Sequence, residues 1–135
     1  MNMKTCKLLF QGDSITDADR VREDPLDLGT GYPYYAAQFL DVDFTFWNRG
    51  IGCDETQHLL ARIETDLIAL QPDVVSLLIG INDTWHHADA REWMPLSVFE
   101  ARYRQILERI RNETNAKLMV IEQYLFPVPD KTYFA

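Results

Sequence analysis

An apolar run that stops abruptly on turn-forming residues constrains this chain more than any other feature: Lys7-Leu8-Leu9-Phe10-Gln11, followed at once by Gly12, Asp13 and Ser14. Such a run reads as a buried β-strand, and Gly, Asp and Ser end it and cap whatever helix follows. In an open parallel α/β sheet, ligands sit beyond the carboxyl ends of the strands, where the next helix offers unpaired backbone N–H groups. Ser14 therefore stands where a nucleophile would. Asp13 and Ser14 are equally ordinary N-cap residues, so this stretch alone leaves capping and catalysis both open.

The same pattern recurs down the chain. Asp43-Phe44-Thr45-Phe46-Trp47 alternates polar and aromatic residues as a strand does, and ends on Asn48, Arg49, Gly50, Ile51 and Gly52. Asp73 to Ile79 is almost continuously apolar, as expected of a central strand covered on both faces, and ends on Gly80, Ile81, Asn82 and Asp83. Lys117 to Glu122 is a fourth strand, followed by Tyr124, Phe126, Pro127 and Pro129. Between these lie helical patterns. One is a short helix over Tyr32 to Leu40 with Pro33 in its first turn. A second is capped by Asp54 with Gln57 as reciprocal partner and striped by Leu59, Leu60, Ile63, Leu67 and Leu70. A third is opened by a Ser97–Glu100 capping box and striped by Phe99, Tyr103, Ile106, Leu107 and Ile110. His58 reads as a surface or capping-region histidine. Asp17 to Gly31 reads as a polar rim above the first strand end, and Thr84 to Met94, with Trp85, His86, His87 and Trp93, as a loop. Strands alternating with helices predict an α/β, doubly wound parallel sheet with right-handed crossovers.

A chain of 135 residues that is 47% hydrophobic supports one domain with a real core. Its formal charge of -8 argues against nucleic acid or an anionic membrane as partner, since both need clustered Lys and Arg. Cys6 and Cys53 show no metal-ligand spacing, so neither a metal site nor another cofactor is expected. No signal-like segment precedes the first strand and no stretch is long enough to span a bilayer, which gives a cytoplasmic expectation.

Taken together, Gly12-Asp13-Ser14-Ile15-Thr16-Asp17, Asn48-Arg49-Gly50-Ile51 and Gly80-Ile81-Asn82-Asp83 make the chain resemble the SGNH or GDSL family of serine esterases, lipases and acylhydrolases. The resemblance implies a flavodoxin-like, three-layer α/β/α domain over residues 1–135 with strand order 2-1-3-4, lacking the family's fifth strand and last helix. It also implies catalytic roles. Ser14 matches the nucleophile and Asn82 the side-chain donor of the oxyanion site. The backbone donor falls on Cys53, where the family has glycine, with Gly52 just before it as the alternative. Asp13, Asp17 and Asp83 match supporting positions, and Asp17 with Arg20 matches a loop of one bacterial branch. That branch suggests small acyl esters, including acetylated carbohydrates, as substrates.

The family's base lies in an Asp-x-x-His block near the carboxyl end, and no such block follows the fourth strand. Asp83-Thr84-Trp85-His86 has the spacing, but Asp83 already belongs to the third motif. His86 and His87 are the candidate substitute bases. Without a base, a serine hydroxyl is a poor nucleophile. Three expectations follow. The chain is a piece of a longer esterase, or it completes itself by dimerisation or strand exchange through an uncovered sheet edge, or it is an inactive, SGNH-like binding module.

Overall fold

The computed structural model describes residues 4–40 and 43–125; the expectation for Phe126, Pro127 and Pro129 lies outside them. Leu8, Leu9 and Phe10 are fully or almost fully buried within the first strand, β1 (Cys6–Gly12), which is the second strand of the sheet. On one side it pairs with β2 (Phe44–Asn48), Phe10 opposite Asn48, and on the other with β3 (Val74–Leu78), Gly12 opposite Leu78. β3 also pairs with β4 (Lys117–Val120), giving the order β2-β1-β3-β4 with every pair parallel. The predicted fold class and strand order therefore hold.

Parallel strands need helical crossovers. α1 (Ser14–Asp17) and α2 (Tyr32–Gln38) lie between β1 and β2, and α3 (Thr56–Asp66) with a 3-10 turn at Ile68–Leu70 lies between β2 and β3. α4 (Ile81–Ala90) and α5 (Leu96–Glu113) connect β3 to β4. The core forms where α3 and α5 pack together over the sheet: Leu59, Ile63 and Leu67 meet Ile106, Ile110 and the inward side chains Leu9, Val75, Leu77 and Ile79. At the amino ends of the strands, Asp73 acts as a clasp. Its N–H donates to Lys7 O, its carbonyl accepts from Lys117 N, and its carboxylate accepts from Lys7 N at 2.9 Å.

Four local expectations are corrected. The segment after Asn82 is a helix and not a loop, because Gly80, at φ 126°, turns the chain sharply into Ile81 and Ala88 packs against the interior with no exposure. α3 is capped one residue later than predicted. Glu55, not Asp54, is the N-cap, and His58, not Gln57, returns the bond, its Nδ1 accepting from Glu55 N at 2.9 Å. α5 opens at Leu96 behind Pro95, whose fixed φ of -57° starts the turn, so no Ser97–Glu100 box forms. The fourth strand is shorter than the apolar run that predicted it, and all four of its residues are exposed.

Candidate functional site

The three strand-end motifs meet at the carboxyl edge of the sheet. Asp13 takes the capping role: its Oδ1 accepts from Ile15 N at 3.0 Å, so the serine beside it is not spent on a cap. Ser14 is the first residue of α1 and is exposed. Gly12 lets this turn close tightly, since a Cβ there would collide with Thr16 Oγ1 and the Leu78 carbonyl.

The 49–54 turn is drawn onto Ser14 by buried polar groups. Asn48, fully buried, donates Nδ2 to Thr16 O at 2.6 Å and to Leu28 O at 2.9 Å, and accepts from Gly50 N at 2.9 Å. Arg20 donates Nε to Gly50 O at 2.9 Å. Arg62, reaching back from α3, donates to Gly12 O at 3.2 Å, Arg49 O at 2.7 Å and Asp54 Oδ2 at 2.7 Å. As a result, a Cβ built on Gly52 would stand 3.9 Å from Ser14 Cβ, so the turn and the serine are in van der Waals range.

Gly52 and Cys53 are not equivalent donors. The Gly52 N–H is committed to Asp17 Oδ2 at 2.9 Å, and that carboxylate also holds Arg22 Nη2 at 2.6 Å. Cys53 has φ 69°, the left-handed conformation that glycine adopts at no steric cost, and its N–H makes no hydrogen bond among the described residues. Its backbone has kept the geometry of a glycine despite the side chain. Asn82, in the first turn of α4, donates Nδ2 to Asp54 O at 3.0 Å, which leaves its second amide hydrogen uncommitted. Ser14, the 52–54 turn and Asn82 are thus connected wall to wall.

The supporting carboxylates divide the structural work. Asp83 is buried and accepts from Thr56 N at 2.9 Å and from Thr56 Oγ1, fastening the start of α4 to the start of α3. It therefore does not pair with His86. Asp13 Oδ2 is buried with no hydrogen-bond partner among the described residues. Burial, reinforced by the charges of Asp54 and Asp83 and opposed by the Ile15 N–H, pushes its carboxyl up to about 6.

His86 and His87 turn instead toward Glu55, a residue the sequence did not single out. Glu55 is 5% exposed, and its Oε1 lies 3.1 Å from His86 Nδ1 and 3.7 Å from His87 Nε2. Its Oε2 accepts from Gln57 Nε2 at 2.8 Å. Glutamate is usually a surface residue, so one letter between Asp54 and Thr56 carries no signal of burial. Arg62 and Gln123 were missed for the same kind of reason. The Gln123 amide lies where a Gly80 Cβ would be, its Oε1 2.6 Å from that point, at the strand end that carries Asn82. Among the described residues no group of histidine, cysteine and acidic side chains is arranged to hold a metal ion, and no helix is long and apolar enough to cross a membrane.

Comparison with known proteins agrees with this architecture. An acetylxylan esterase from Geobacillus stearothermophilus is 38% identical over 117 residues, which is 80% of this chain and 53% of that protein. A solved acetylxylan esterase from the same organism aligns with a TM-score of 0.76 at 34% identity, covering 87% of this chain and 61% of the other. Catalytic mutants of that enzyme replace a serine, an aspartate and a histidine. A protein from Parabacteroides merdae described as a GDSL-like lipase aligns with a TM-score of 0.80 at 34% identity, covering 87% and 59%. The chain thus spans little more than half the length of these relatives. The family model for GDSL-like lipases and acylhydrolases matches residues 10–135, and with Ser14, the 48–53 turn and Asn82 gathered at one sheet edge, the chain belongs to that family.

Proposed function

We propose that this chain carries the nucleophile and oxyanion half of a serine esterase that removes small acyl groups, acetyl in particular, from carbohydrate esters. The observation that carries the reading is the Cys53 N–H, left uncommitted on a left-handed residue of the turn that abuts Ser14 and is tied to Asn82. The similarity to acetylxylan esterases supports the acyl group and the substrate class.

In this mechanism Ser14 Oγ attacks the ester carbonyl carbon while its proton passes to a base. Negative charge gathers on the carbonyl oxygen, where the N–H groups of Ser14 and Cys53 and the Asn82 amide receive it. Each preorganised donor of this kind is worth roughly 3 kcal/mol in the transition state. The carbon–alkoxy bond then breaks, and the departing alcohol takes the proton from the base. Water, deprotonated by the same base, repeats the attack on the acyl-serine and restores Ser14. The base is an Asp-x-x-His pair of the kind the resemblance implies, and without such a pair Ser14 acylates slowly.

An added base tests the assignment. With imidazole supplied in solution, 4-nitrophenyl acetate should acetylate Ser14, seen by intact mass and peptide mapping, and Ser14→Ala should abolish the adduct. Absence of any adduct at Ser14 in the folded chain would overturn the esterase reading.

A further inference from the structure

Outside the machinery just described, Glu55 gathers His58, His86 and Gln57 around one buried carboxylate, and one imidazole nitrogen there is left over. Glu55 lies in the N-cap of α3, and its carboxylate accepts from the His58 backbone, from Gln57 Nε2 and from His86. A carboxylate can only accept, so the shared proton sits on His86 Nδ1, and in the neutral form of such a ring the lone pair is at Nε2. That Nε2 makes no hydrogen bond among the described residues, and the side chain is 38% exposed. His87 differs. Its Nδ1 lies 3.1 Å from Glu92 O, to which it donates, and its Nε2 stands 3.7 Å from Glu55 Oε1, beyond hydrogen-bond distance.

His86 follows Asn82 by four residues on α4, which puts the two on one face, about 6 Å apart along the axis. Both lean on the same short stretch, Asn82 on Asp54 O and His86 on the Glu55 carboxylate. A fixed acceptor therefore stands one helical turn outward from the amide assigned to the ester oxygen. His86 is tethered to Glu55 one turn along α4 from Asn82, so a group that reaches it lies beyond the carbonyl oxygen assigned to the Asn82 amide.

We infer that His86, positioned by Glu55, is a specificity-determining residue whose Nε2 accepts a hydrogen bond from a free hydroxyl on the alcohol part of an acetylated oligosaccharide. The inference rests on the esterase reading and narrows it: the preferred substrate keeps unacetylated hydroxyls beside the ester. Glu55 is the positioning residue, since its carboxylate selects the ring tautomer.

The experiment compares binding of mono-acetylated and fully acetylated xylotetraose to the 135-residue chain by calorimetry, with the imidazole nitrogens followed by 15N NMR. The wild-type chain should favour the mono-acetylated sugar by about tenfold, the worth of one uncharged hydrogen bond. His86→Phe should erase that preference, and His86→Gln, which keeps an acceptor, should restore part of it. In the free protein the His86 proton should sit on Nδ1, Glu55→Gln should shift it toward Nε2, and the Nε2 signal should move on sugar binding. Equal affinity for the two sugars, a preference that survives His86→Phe, or an Nε2 signal unmoved by the sugar would each overturn the inference. If Ser14 is still acetylated with imidazole in those cases, the esterase reading stands; if Ser14 is not acetylated either, that reading has failed first.

Discussion

Asp13 sets a buried carboxyl of the site against folding at neutral pH. Its carboxyl is raised from 3.8 to about 6 by burial, with Asp54 and Asp83 adding repulsion, so the native chain binds that proton more tightly than the unfolded chain does. Stability from this group is therefore present at low pH and falls as pH rises through the window from about 4 to about 6. Asp13→Asn keeps the acceptor for Ile15 N and removes the buried charge. It should flatten that slope and stabilise the protein at neutral pH by on the order of 2 kcal/mol, read from thermal unfolding at several pH values. Cys53 bears a different cost, a side chain at φ 69°. Cys53→Gly should stabilise the fold slightly, by about 0.5–1 kcal/mol in thermal unfolding, without slowing imidazole-assisted acetylation of Ser14. A β-branched Cys53→Val should lower both. Ser14 and Asn82 could be singled out in the sequence only together, because each alone is an ordinary cap or turn residue and it is their recurrence at successive strand ends that stands out. Glu55 and Gln123 were not, since their importance lies in what folds over them.

Among the elements, β1 and β3 were legible as apolar runs and β2 as a polar–aromatic alternation, each ended by Gly or Asn, which is a local signal. α4 was read as a loop because Trp85, His86 and His87 break the apolar stripe that marks an amphipathic helix. What makes it helical is tertiary: the Gly80 turn, the Asp83–Thr56 clasp and the buried Ala88. Gly80→Ala should accordingly destabilise the protein by about 2 kcal/mol or more, through the positive φ and through collision with the Gln123 amide. Adding Gln123→Ala should recover only the steric part, so the double-mutant cycle separates the two contributions in chemical denaturation. The shift of the α3 cap from Asp54 to Glu55 has a related cause, because Arg62 claims the Asp54 carboxylate that would otherwise cap the helix.

For the molecule as a whole, the sheet is covered unevenly. β4 leaves Leu118 36%, Met119 49% and Val120 45% exposed, and β4 borders the sheet. Apolar surface beside free strand N–H and C=O groups favours pairing with another strand. The 135-residue chain is expected to self-associate at high concentration, and Met119→Lys with Val120→Lys should return it toward the monomer in sedimentation experiments. At the opposite border of the sheet, β2 ends in the fully buried Asn48, whose single amide is bonded at once to the serine turn, to the 18–30 rim and to the turn bearing Cys53. Three loops sharing one anchor cannot loosen separately. Deuterium should enter the Gly50, Ile51 and Thr30 amides at one common rate, so that the mouth of the cleft breathes as a single cooperative unit instead of as a flap over a rigid floor.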